Sequence, residues 1–115
     1  MLRRDMLILH GDRAETLERG DVLRARRMMA SWYDNSGRCE QGSAHRIAVV
    51  RIAEVTLGMA APLTAQTLEE LAANQECRNL LPQAAATYER ALSVWMRVPE
   101  DFRAPASATL VALAN

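Results

Sequence analysis

The chain has 115 residues and 14 basic side chains, all arginine, balanced by 14 acidic ones. That balance excludes both the strongly basic footprint of a dedicated nucleic-acid binder and an acidic solvating tail. The apolar pool is mostly Ala, Leu, Val and Met, with Phe102 the single phenylalanine; it suits closely packed helices and disfavours a β-sandwich.

One domain spanning 1–115 is expected, long enough to bury a core of its own. The start, MLRRDMLILHGD, resembles a signal peptide only superficially. Its apolar run is short, Asp5 interrupts the approach, and no small-residue cleavage site follows. No stretch is long enough to span a bilayer, so the expected location is cytoplasmic. A disulfide between Cys39 and Cys77, the two cysteines, would instead indicate a secreted or periplasmic home. Two unpaired thiols are the default expectation. The absence of a CxxC spacing argues against a zinc ribbon or a thioredoxin-type pair.

In chain order, Leu2, Met6 and Leu9 form one helical stripe, and Ala14 and Leu17 another. Gly11-Asp12 predicts a break between them, with Glu15 as a capping-box partner. The next helix is predicted to open at Gly20-Asp21, with Asp21 as N-cap and Val22, Ala25, Met29 and Trp32 as its core face. Residues 35–43, NSGRCEQGS, read as a polar loop in which Gly37 and Gly42 are free to take positive φ. Ser43 is the predicted cap of AHRIAVVRIAEVTLGMA. There Ile47, Val50, Ile52, Val55 and Leu57 wrap most of the way round, as in a central or interface helix. The β-branched run also permits a buried strand, but nothing is present to pair with it.

Pro62 punctuates the chain, and Thr64 is the predicted N-cap of a helix to about Cys77, with Leu63 and Leu68 as a hydrophobic staple. Pro82 opens the last long helix. Leu81, Ala85, Tyr88, Leu92 and Trp95 are its predicted core face, and Val98-Pro99 ends it. The tail from about 104 is expected to fray or to form a short helix near Pro105. The fold class is therefore all-α, a small bundle of four to five helices, with stacked antiparallel hairpins as the alternative arrangement.

Leu68, Leu71 and Ala72, followed by Ala84, Tyr88 and Ala91, have spacings that resemble a tetratricopeptide repeat. Gly20-Asp21 with Ala25-Arg26-Arg27 looks like the turn and second-helix start of another copy. The resemblance covers about half the chain and implies interlocked helical hairpins. Gln75 departs from it, standing where a large apolar residue is usual. So do the missing proline after the second helix and the spacing between the two copies.

Catalytic chemistry finds little support. His10 and His45 lack metal-type partners at helical spacing, so no metal is expected. GRCEQGSAH carries no nucleophile signature around Cys39 and His45, and adjacent Glu69 and Glu70 diverge on a helix. No phosphate loop, GxSxG elbow or HExxH is present, so no cofactor is expected. The expected function is a non-catalytic helical interaction module of adaptor, chaperone or immunity type. It would bind another protein or peptide through Arg24, Arg27, Met28, Trp32 and Tyr33, and the apolar Ile47 to Leu57 segment favours a homodimer or an obligate hetero-complex over a monomer. The alternative is a nucleic-acid-binding regulator using the Arg19–Arg27 cluster with Trp32 and Tyr33. Asp12, Glu15, Glu18 and Asp21 stand just before that cluster and oppose it.

Overall fold

A computed structural model describes residues 11–102. The stripe at Leu2, Met6 and Leu9, together with His10 and the tail beyond 102, lies outside the described residues. Four helices follow one another: α1 (Gly11–Asn35), α2 (Cys39–Leu57), α3 (Pro62–Cys77) and α4 (Leu81–Arg97), with a short 3-10 turn at Glu100–Phe102. Each packs mainly on its chain neighbour, and adjacent helices form antiparallel hairpins.

The helix boundaries depart from expectation where hydrogen bonding outweighs composition. Gly20 does not open a helix; it lies inside α1, which runs unbroken for 25 residues. The start of a second repeat copy expected at Gly20-Asp21 is therefore not there. The loop expected over 35–43 shrinks to residues 36–38, because α2 already begins at Cys39. Ser43 is thus within α2, where its hydroxyl donates to the Glu40 carbonyl. Thr64 likewise sits inside α3 rather than capping it, and its hydroxyl donates to the carbonyl of Gly58 at 2.8 Å.

Three short turns set the hairpins. Gly37, at φ 76°, ends α1. The Arg38 N–H reaches back to the Tyr33 carbonyl at 2.7 Å, and the Gly37 N–H reaches that of Asp34 at 3.2 Å. This is a Schellman closure, which favours glycine at the left-handed position. Asn79, at φ 60°, plays the same part after α3, with Leu80 N–H on Gln75 and Asn79 N–H on Glu76. Gly58 adopts φ 86° and ψ 179° between α2 and α3, a conformation essentially restricted to glycine.

Two clusters of buried apolar residues share α2. One joins Val50 to Leu68, Leu71, Trp95 and Val98, closed by Ala65 and Ala91; the other joins Leu23, Val49 and Ala53, with Ile52 and Leu63 against them. The buried face of α4 is turned by about one position from the expected one. Trp95 is buried, but Ala84, Thr87, Ala91 and Val94 accompany it, while Tyr88 and Leu92 are half-buried and Leu81 and Ala85 exposed. Small residues win that face because they let α4 approach α3 closely, whereas bulkier Leu81, Tyr88 and Leu92 would hold the helices apart. The apolar girdle on α2 divides too: Val50 is buried, yet Ile47, Val55 and Leu57 are exposed.

Two predictions test this packing. An added Cβ at Gly20 would meet nothing within 4 Å, so Gly20→Ala should raise stability by about 0.5–1 kcal/mol in urea denaturation. Tyr88 is held protonated well above its ordinary pKa by burial, by its hydrogen bond to Glu76, and by the charges of Glu76 and Glu69. A folded-state pKa above the unfolded one gives stability that is complete below the unfolded value of about 10 and fades as pH climbs past it. Melting curves above that pH should therefore fall more steeply for the native chain than for Tyr88→Phe.

Candidate functional site

Among the described residues helix α1 stands at one end of the row, and it directs its faces differently from the apolar pattern. Its inner line is Leu23, Arg27, Ala30 and Asp34, with Leu23 and Ala30 fully buried. The expected core stripe faces outward: Val22 is 47% exposed, Met29 47% and Trp32 58%, with Met28 beside them at 73%. Charged residues hold the inner line because they are partnered there. The Arg27 fork grips Glu70 of α3 through Nε at 2.9 Å and Nη2 at 2.6 Å. That hydrogen bond, more than the opposing cost of burial, holds the Arg27 pKa above its ordinary value.

Arg46, at 6% exposure, is the hub. From α2 it donates to Asp34 Oδ2 at 3.0 Å, to Glu70 Oε1 at 3.3 Å and to Ser31 Oγ at 3.3 Å. Asn74 of α3 completes the set, donating to Asp34 Oδ1 at 2.8 Å and to the Cys39 carbonyl at 2.7 Å. Two arginines face two carboxylates, so the cluster is neutral and its role is positional. Gly42 permits it: a Cβ there would collide with Asp34 Oδ1 and sit 3.3 Å from Tyr33 Cβ. It was expected as a loop glycine with positive φ; instead it is a helical glycine where α1 and α2 come close.

The network also orders the end of α1. The Trp32 ring meets Tyr33 edge-on at 5.1 Å, and the Arg38 guanidinium lies 5.8 Å from its centroid. Tyr33 stacks on His45 of α2 at 5.7 Å with an interplanar angle of 11°. Of the expected contact residues, Met28, Trp32 and Tyr33 lie along the exposed and half-exposed side of α1. Arg27 is committed to Glu70, and Arg24 is paired with Asp21. Arg46, Asp34, Glu70 and Asn74 were not anticipated. The available signal was Gly42, Arg46, Val49 and Ala53 at spacings of 4, 3 and 4, which puts an arginine on an inner helix line.

Cys39 and Cys77 form a disulfide with Cα atoms 6.2 Å apart, tying the start of α2 to the end of α3. The bond replaces the two unpaired thiols expected and points away from a reducing cytoplasm towards an oxidising compartment. Among the described residues no helix is long and apolar enough to cross a membrane, and no three His, Cys, Asp or Glu side chains group as metal ligands would. No family model matches the chain, and no curated protein or solved structure is significantly similar to it.

Removing the hub should be costly. Arg46→Ala leaves Asp34 and Glu70 short of a partner in a poorly solvated seam, where an unpaired member of a buried ion pair costs about 3–5 kcal/mol. Glu70 keeps Arg27 and Asp34 keeps Asn74, so a loss near about 3 kcal/mol is expected in urea denaturation. A loss below about 1 kcal/mol would mean that solvent already screens the pair.

Proposed function

We propose that the protein is a non-catalytic helical interaction module, of adaptor, chaperone or immunity type, whose contact face is the outer side of α1. One observation carries this: a regular apolar stripe, Val22, Met29 and Trp32 with Met28 alongside, stays exposed while the opposite side of the same helix is locked inward by charges. Exposed apolar groups on one helix face are a recurring mode of polypeptide recognition, and methionines adapt to varied partners. The ring contacts on Trp32 lower the cost of ordering a large aromatic anchor.

The hairpin of α3 and α4 supports a repeat-like geometry within that reading, since Leu68, Leu71, Ala72, Ala84 and Ala91 are all buried, with Tyr88 half-buried. The partner is another protein or peptide, met in an oxidising compartment, or a second copy of this chain. The nucleic-acid alternative is weaker. Arg24 and Arg27 are paired internally, which leaves Arg26 without an ion pair among the described residues of the cluster.

A photo-reactive amino acid placed at Met28 should crosslink one defined protein, and the same group at exposed Glu89 on α4 should not. Light scattering over a concentration series identifies the case in which that protein is a second copy. Trp32→Glu with Met29→Glu should abolish the crosslink while leaving the melting temperature within a few degrees, since neither side chain is in the core. Equal crosslinking at both positions, or salt-sensitive binding to DNA or RNA that Arg26→Ala removes, would overturn the reading.

A further inference from the structure

The disulfide lies between two recesses. One of about 380 Å³ is lined by Gly37, Cys39, Glu40, Cys77, Arg78 and Leu80. Another of about 240 Å³ also has both cysteines in its wall, with Asp34, Arg46, Glu70 and Asn74. The two halves of the bond differ sharply in access: Cys39 is 5% exposed, whereas Cys77, the last residue of α3, is exposed. An incoming thiolate must approach one sulfur in line with the bond and expel the other. Here the residue at the end of α3 is open to solvent and the residue at the start of α2 is covered, although both contribute to the walls of the two recesses.

The position of Cys39 also suits it to depart as thiolate, although the Asp34 carbonyl lies 4.0 Å from its Sγ. Cys39 is the first residue of α2, and the preceding Arg38 makes no side-chain cap hydrogen bond. The opening N–H groups of the helix therefore retain capacity to stabilise a thiolate, as helix N-termini do. Arg38 adds positive charge next to it in sequence; Glu40 in the first turn works against it. Arg78 follows Cys77 directly and lines the larger recess, where a guanidinium suits a carboxylate-bearing thiol.

We propose that Cys39–Cys77 is an exchangeable disulfide, with Cys77 the sulfur attacked by small carboxylate-bearing thiols and Cys39 the leaving group. The incoming thiol first loses its proton to solvent. Its sulfur lone pair then forms a bond to Cys77 Sγ, the Cys39–Cys77 bond breaks, and the bonding pair departs on Cys39 Sγ as thiolate. One disulfide is consumed and one is formed, so no external oxidant or reductant is needed. The fold survives the step because α2 and α3 stay joined by Asn74 on the Cys39 carbonyl and by Arg46 on Glu70.

The test treats the oxidised full chain with reduced glutathione under native conditions, quenches with excess N-ethylmaleimide in denaturant at neutral pH so that the covered Cys39 is also reached, and maps both cysteines by mass. Glutathione is expected on Cys77 and maleimide on Cys39, with an excess of about tenfold or more over the reverse pattern, because attack requires access to the sulfur. In a second arm the single thiols meet glutathione disulfide: the open Cys77 in Cys39→Ser should react about tenfold or more faster than the covered Cys39 in Cys77→Ser, access outweighing the readier ionisation of Cys39. Circular dichroism checks that both variants are folded; if either is not, the native chain alone decides. Glutathione mainly on Cys39, equal labelling of the two, or a bond that resists glutathione until denaturant unfolds the chain would each overturn the proposal.

Discussion

A guanidinium taken out of water loses several kcal/mol of solvation, and Arg46 is nearly sealed within the seam of three helices. It is tolerated there because Asp34 comes to it from α1 and Glu70 from α3. Those two contacts constrain much of the surrounding structure. Asp34 must face inward, which fixes the rotation of α1 about its axis. Glu70 must reach both Arg46 and Arg27, which fixes the height of α3 relative to α1 and α2. Gly42 has no side chain because Asp34 occupies the space a Cβ would need. The rotation of α1 is thus set by paired charges, and its apolar stripe is left outside as a consequence.

Beside this seam the chain is closed a second way. The turns at Gly37 and Asn79 share one design, each ending its helix through a left-handed residue that satisfies the last carbonyls. The disulfide joins the helices next to them across 38 positions of sequence. By the chain-entropy relation, closing a loop of that length removes about 4 kcal/mol of freedom from the unfolded state. Nearby, Asn74 fastens the Cys39 carbonyl to the polar network. Covalent tie, polar seam and turns therefore converge on one end of the bundle, while apolar packing around Trp95 and Leu68 joins α3 to α4.

This division of labour bears on function. A helix rotated by its charges can present apolar side chains to solvent without losing its place, and α1 does so with Met28, Met29 and Trp32. Tyr33 and His45 stack between α1 and α2 directly behind Trp32, so the exposed aromatic stands on an ordered base. The exposed apolar face proposed for recognition and the disulfide end are consequently close in sequence, linked through Asp34, Gly37 and Cys39.

The helical class and several helix ends were legible in the sequence, because they follow from local rules. Apolar residues at spacings of three and four mark helices, Pro82 marks a start, and Val98-Pro99 marks a stop. Glycine at position 37 marked a turn for the same local reason. The faces were not legible. On α1 the apolar line through Val22, Met29 and Trp32 looked like the core, yet the buried line is the one carrying Arg27 and Asp34. On α4 the larger side chains looked like the core, yet close approach to α3 selects Ala84 and Ala91. The cysteines could be paired or free on sequence grounds alone. Each of these choices depends on groups far apart in the chain: a carboxylate opposite an arginine, a small residue opposite a large one, a sulfur within reach of another. Periodicity records how a segment repeats along its own axis, and only the packed structure decides what stands across from it.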